Sequence, residues 1–268
     1  MTATHYQRIL TSLLLLPLLA WAIFCGDPVL SLVLSVVACL GLMEFYAMFW
    51  PGLEKLPWKV AGFFLALGLI WAPLDWNGSA LVCLALLAVA IGFLLVYDQD
   101  KAPDAFPDCQ ILLFGILYLP FILRLGRFLS GTEIALVLLT TFAADTGAFY
   151  AGSHFGGPKI WPSISPKKTW AGSIGGLVAS IAVCTAMGYA LGAAPWFHFA
   201  FLGAALNLAA QLGDFFESGL KRWRGIKDSG WILPGHGGIL DRIDSLLFVL
   251  PLYCALAALF DFFAGGKP

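Results

Sequence analysis

Residues 28–49 read PVLSLVLSVVACLGLMEFYAMF, and among them only Glu44 is an acidic or basic residue. As a helix this run is long enough to cross the ~30 Å hydrocarbon core of a bilayer, which takes about 20 apolar residues. Lipid offers no partner to a backbone N–H or C=O, so such a span must satisfy its polar groups internally, as a helix does. The rest of the chain follows suit. Its 268 residues are 60% hydrophobic and 12% charged, against about 25% charged in a soluble domain. Marking further runs between polar, Pro and Gly breaks gives about nine candidate spans: 8–25, 28–49, 58–74, 77–97, 108–126, 132–152, 170–192, 196–219 and 243–263. The fold class expected is all-α: a polytopic integral membrane protein with about nine transmembrane helices and a cytoplasm-facing polar site. Residues 1–268 read as a single membrane domain, with apolar N-terminal helices over 1–130 and the chemistry-bearing helices and loops over 131–268. Arg8 and the run after it resemble a signal peptide, but the next apolar run follows at once, so a first span is expected there.

Lysine and arginine placement sets the direction. With the N-terminus cytoplasmic, the cytoplasmic side holds Arg8, Lys55, Lys59, Lys101, Lys159, Lys167, Lys168, Lys221, Arg222, Arg224, Lys227 and Arg242. The far side holds Arg124, Arg127 and Lys267, which accounts for all 15. This places the C-terminus on the non-cytoplasmic side.

Carboxylates inside a membrane are costly and point to function. Asp145 lies in the sixth run, Asp214 and Glu217 late in the eighth, and Glu44 in the second. Asp214, Glu217 and Ser218 fall at i, i+3 and i+4, one face of a helix. Asp241 and Asp244 repeat the i, i+3 spacing where the ninth helix is expected to start. These acids suit Mg²⁺, which takes carboxylate oxygens and keeps several waters. The competing reading is a salt-bridge network with Lys221, Arg222 and Arg242. Glu44 reads as a buried acid, hydrogen-bonded or protonated, or as part of a polar cavity. The six cysteines are scattered without a CxxC pair and read as small buried hydrophobes.

Two loops concentrate cations. In 152–176, GSHFGGPKIWPSISPKKTWAGSIGG, Ser165 and Pro166 have the form of a helix start, with Ser as N-cap and Pro in the first turn. Lys167, Lys168 and Thr169 would then surround a helix N-terminus able to bind an anion. His154 is expected in the loop, with a structural role. In 221–244, KRWRGIKDSGWILPGHGGILDRID, 8 of 24 residues are charged. Cations lead, a glycine–histidine turn follows, and paired aspartates close the segment. Neither a Walker A spacing nor a Ser-His-Asp order is present. The parts suit chemistry on phosphate esters at a membrane surface, where positioning and charge neutralisation carry the rate.

From Ser218 to Asp244 the sequence S-G-L-K-R-W-R-G-I-K-D-S-G-W-I-L-P-G-H-G-G-I-L-D-R-I-D resembles the signature of the phosphatidate cytidylyltransferases, or CDP-diacylglycerol synthases. QLGDFFES, ISPKKTWAGSIGG and the Asp-Thr-Gly-Ala-Phe-Tyr context of Asp145 resemble other segments of that family. The likeness covers residues 140–245 well, and the first 130 residues only as apolar spans. Ala171 departs from it, standing where many relatives carry glutamate. The resemblance implies transfer of CMP from CTP to phosphatidate, giving CDP-diacylglycerol and pyrophosphate in phospholipid synthesis. It implies Mg²⁺, with a monovalent cation such as K⁺ also associated with the site. Asp214, Asp241 and Asp244 are the implied metal ligands, with Asp145 near the same centre. Lys167, Lys168, Lys221, Arg222 and Lys227 would hold triphosphate or the lipid headgroup. Ser165, Thr169, Ser218, Gly237, Gly238 and Arg242 complete the substrate contacts. Asp228 and His236 would orient groups or assist proton movement, beside Asp214, Lys221, Arg222 and Asp241 at the chemical step.

The partners implied are CTP, phosphatidate and the lipid bilayer, without nucleic acid, and a homodimer is compatible. A bacterial inner membrane is the expected location. The rivals are an ion-coupled transporter and another lipid-headgroup phosphotransferase. Against the first, the polar residues cluster at one face rather than at the midplane in two halves. Against the second, the Asp-Gly-x2-Ala-Arg pattern of the CDP-alcohol phosphotransferases is absent.

Overall fold

A computed structural model describes residues 17–73, 87, 91, 105–232 and 237–263. Among them the chain is mostly helical, and six helical segments are long and apolar enough to cross a membrane: Asp27–Phe49, Phe106–Phe128, Gly131–Phe155, Trp170–Leu191, Trp196–Trp223 and Leu240–Leu259. Leu56–Trp71 is apolar but only 16 residues long. Of the expected spans, 77–97 lies almost wholly outside the described residues, and 8–25 is described, as helix, only over 17–25. The chain forms two compact units, Met1–Phe128 with Ser229–Leu240, and Leu129–Asp228 with Asp241–Pro268.

In the first unit, α1 (Asp27–Phe49) packs on α2 (Leu56–Trp71) and on α3 (Ala105–Tyr118). Pro120 cannot donate to a continuing helix and clashes with the preceding turn. The chain therefore re-forms as the short α4 (Pro120–Leu123) and a 3₁₀ turn, Arg124–Phe128. Long-range polar contacts close both ends of this unit. At one end the Arg127 guanidinium grips Asp27 with two bonds of 2.8 Å. It also donates to the Ile70 carbonyl and, at 3.0 Å, to that of Ala72, tying the start of α1 to the end of α2. At the other end Tyr46 donates to the Leu112 carbonyl (3.2 Å) and the Trp50 indole to Asp108 (2.9 Å). Lys55 pairs with the same carboxylate at 2.6 Å.

The second unit starts with α5 (Gly131–Phe155). Its capping box is reciprocal: the Ser130 hydroxyl accepts from the Glu133 N–H, and the Glu133 carboxylate from the Ser130 N–H. The other Glu133 oxygen accepts from Tyr253 at 2.9 Å. Strands β1 (Lys159–Trp161) and β2 (Ser165–Thr169) follow as an antiparallel pair, then α6 (Trp170–Leu191), α7 (Trp196–Trp223) and α8 (Leu240–Leu259). Helices α5 and α6 pack most closely, because small residues let their backbones meet. A Cβ on Gly175 would lie 2.3 Å from the Ala151 Cβ and 2.8 Å from the Gly147 carbonyl oxygen.

Three expectations need correction. Ser165 does not cap a helix: Ser165–Thr169 is strand, and the cap of α6 is Thr169, whose hydroxyl accepts from the Gly172 N–H at 3.1 Å. Proline pushes the residue before it to extended backbone and is tolerated at a sheet edge, so Ser165-Pro166 serves a two-stranded hairpin equally well. Lys167 and Lys168 therefore precede the helix and do not sit in its first turn. The all-α expectation is relaxed by this one hairpin. His154 lies in the last turn of α5, not in the loop.

Candidate active site

Five of the described carboxylates of the second unit, Asp145, Asp214, Glu217, Asp241 and Asp244, gather around α7. That helix runs unbroken through Trp223, so Asp214, Glu217, Ser218 and Lys221 stack along one face, as i, i+3, i+4 spacing requires. The Ser218 hydroxyl donates to Asp214 Oδ1 at 3.2 Å. Asp214 Oδ2 pairs at 2.5 Å with Lys168, which reaches over from β2 and lies 4.4 Å above the Phe215 ring. The hairpin thus delivers the second lysine of β2 to the helix face.

One turn further on, the buried Lys221 bridges two acids. Its ammonium lies 2.6 Å from Asp241 Oδ1, at the start of α8, and also contacts Glu217, whose side chain is 0% exposed. Among the described residues no donor hydrogen-bonds Glu217 Oε1. Asp244 is buried and accepts from the Ser245 N–H at 2.6 Å. Gly213 makes room for this approach, since a Cβ there would fall 2.5 Å from the Asp244 carbonyl oxygen. Asp145 of α5 feels the charges of Asp214, Lys168 and Arg242, and Asp244 those of Asp214, Lys221 and Asp145. Five acids (Asp145, Asp214, Glu217, Asp241, Asp244) thus face three bases (Lys168, Lys221, Arg242), and the cluster carries a formal excess of two negative charges.

Among the described residues no three His, Cys, Asp or Glu side chains stand as a ready-made metal cage. Mg²⁺ does not need one, because it commonly takes one or two carboxylates and completes its shell with water and substrate phosphate. Hard oxygen donors, an excess of negative charge and a buried carboxylate oxygen without a hydrogen bond are compatible with such an ion.

Other expected site residues stand apart. Lys167 is exposed on β2, Ser165 is half-buried, and the Thr169 hydroxyl is committed to the α6 cap. Exposed Arg222 donates to the Ile226 carbonyl at 2.8 Å and closes the turn after α7. Lys227 and Asp228 are exposed beyond it, and among the described residues neither is ion-paired to the cluster. His236 lies outside the described residues. Gly237 and Gly238 belong to the first unit, where Gly237 takes a φ of 81°.

The first unit also holds an acid that sequence reading left outside the site. Glu44 of α1 is buried, and it accepts from the Ser229 hydroxyl and from the Ile239 and Leu240 N–H groups. The hydrogen-bonded acid was foreseeable, but its partners were not. The available signal was the pair of glycines, Gly230 and Gly238, that flank its carboxylate.

Similar sequences place the chain in a family. Residues 6–260 match the model of the cytidylyltransferase family. The phosphatidate cytidylyltransferase of Staphylococcus haemolyticus (strain JCSC1435) is 36% identical over 255 residues, covering 91% of this chain and 96% of that one. That of Bacillus subtilis (strain 168) is 32% identical over 267 residues, 95% and 98% of the two chains. That of Brucella suis biovar 1 (strain 1330) is 32% identical over 260 residues, 94% and 93%. The chain belongs to the cytidylyltransferase family.

Proposed function

We propose that this protein transfers CMP from CTP to phosphatidate at a membrane surface. A phosphate oxygen of phosphatidate attacks the α-phosphorus of CTP and forms a new P–O bond. The bond from that phosphorus to the oxygen bridging toward the β-phosphorus breaks, and its electron pair leaves with pyrophosphate. The phosphatidate headgroup is already anionic near neutral pH, so no strong base is required. What the protein must supply is position and charge. The observation that carries the reading is the lysine–carboxylate pairing of α7: Lys168 on Asp214, and Lys221 on Asp241 and Glu217.

Each lysine has an acid partner that orients its ammonium in a partly dehydrated site, where charge interactions are stronger than in water. A polyphosphate competes with those acids for the lysines. A lysine that turns to phosphate leaves its carboxylate oxygen to a cation. Asp214, Asp241 and Asp244 would hold Mg²⁺, with Asp145 beside them, and bound Mg²⁺ would offset charge on the triphosphate and on departing pyrophosphate. Arg222, Lys227, Asp228 and His236 keep the roles that the family resemblance implies.

Purified protein given phosphatidate, CTP carrying a radiolabelled cytosine, and Mg²⁺ is expected to label lipid, and a chelator to stop it. No labelled lipid under any cation condition overturns the reading. The lysine and arginine distribution further supports a cytoplasmic N-terminus, and the bacterial sources of the relatives support a bacterial inner membrane. A reporter fused after residue 268 is expected to report the non-cytoplasmic side, and a cytoplasmic signal contradicts that topology.

A further inference from the structure

We propose that Glu44 is a positioning residue for the transfer: its carboxylate holds Ser229, Ile239 and Leu240 and so fixes the backbone from which Asp241 and Asp244 project. The proposal rests on the reaction described above and assigns a further residue to it.

Glu44 is 3% exposed, and both its oxygens are engaged. Oε1 accepts from the Ile239 N–H at 3.0 Å. Oε2 accepts from the Leu240 N–H at 2.8 Å and from the Ser229 hydroxyl at 3.2 Å. The first N–H groups of any helix lack partners within it. A side chain just before α8 would cap its second and third N–H groups, but that residue is Ile239, which has no oxygen to offer. A carboxylate nearly two hundred residues away in sequence instead meets the N–H groups of Ile239 and Leu240, with the charge sign that a helix N-terminus favours.

The loop is built around this group. A Cβ on Gly230 would lie 2.5 Å from Glu44 Oε1, and one on Gly238 would lie 2.4 Å from Oε2 and 2.2 Å from the Ser229 hydroxyl oxygen. Side chains there would expel the carboxylate, so two glycines of the charged segment gain a physical reason. The two anchored N–H groups belong to the residues immediately before Asp241. Releasing them frees the start of α8, and a displacement of about 1 Å at a reacting group can cost about 100-fold in rate.

The test uses the full-length protein in detergent, with Glu44→Gln and Glu44→Asp. Glutamine presents an amide N–H₂ where an acceptor is needed, whereas aspartate keeps both acceptors on a shorter arm. Turnover and KM for CTP are measured per folded molecule, with foldedness read from thermal unfolding. Amide hydrogen exchange over residues 229–244 reads the hold itself, independently of chemistry. For Glu44→Gln we expect kcat to fall at least about tenfold with KM for CTP within about twofold. Exchange at Ile239 and Leu240 is expected to quicken by about tenfold. Glu44→Asp is expected to recover part of both. Unchanged exchange overturns the proposal. So does faster exchange with wild-type kcat, or an activity loss that follows only the folded fraction and is not relieved by aspartate. Should the wild-type protein make no CDP-diacylglycerol, the reaction itself falls and a positioning role falls with it, whereas altered exchange would still establish Glu44 as the loop's anchor.

Discussion

Asp241→Asn is expected to lower CTP-dependent lipid synthesis by at least about 10²–10³-fold, the range seen when a preorganised charge partner at a reacting centre is lost, while the protein remains folded in the membrane. The substitution keeps the shape of the side chain and removes its charge. Asp241 holds the Lys221 ammonium at 2.6 Å, in the first turn of α8. An amide there can still accept one hydrogen bond, but it no longer fixes the lysine electrostatically and is a poor ligand for a hard cation. Lys221 would swing toward Glu217 alone. Initial rates on purified variant and wild type, normalised to folded protein, measure the effect. Wild-type turnover would remove Asp241 from both the lysine-orienting and the metal-holding roles.

Lys221→Met is expected to lose stability as well as activity. Among the described residues Lys221 is the ion-pair partner of Glu217, whose side chain is fully buried, and it also holds Asp241. Removing one member of a buried ion pair costs about 3–5 kcal/mol, because the remaining charge is left in a poorly solvating environment. The midpoint of thermal or denaturant unfolding in detergent should fall accordingly. Adding Glu217→Gln removes the stranded charge, so the double variant should regain most of the stability and none of the activity. Recovery of activity along with stability would show Lys221 to be structural. A single variant that unfolds at the wild-type midpoint would contradict the bridge.

These residues also show what sequence can carry. The spans were legible because run length and apolarity are local properties, and 28–49, 132–152, 170–192 and 196–219 reappear within a few residues as α1, α5, α6 and α7. The stacking of Asp214, Glu217 and Ser218 was legible for the same reason, being set by helical period. The pairings were not. Lys168 meets Asp214 only because a hairpin turns it toward α7, and the hairpin was hidden by a Ser-Pro that fits a helix start as readily as a strand. Which acid Lys221 would choose depended on where α8 begins, at Leu240 rather than 243. Glu44 was seen as an acid in an apolar run, but its partners lie at 229, 239 and 240, and no local pattern joins them.

The central claim, that the α-phosphoryl group of CTP is the one transferred, is tested most directly by where the label goes. Purified protein with phosphatidate and Mg²⁺ is given CTP labelled in either the α- or the γ-phosphate. The account predicts that α-label appears in lipid, that γ-label appears only in pyrophosphate, and that the two products form in equal amounts. Gamma-label in lipid, or α-label that stays in water-soluble products at every phosphatidate concentration, would contradict it.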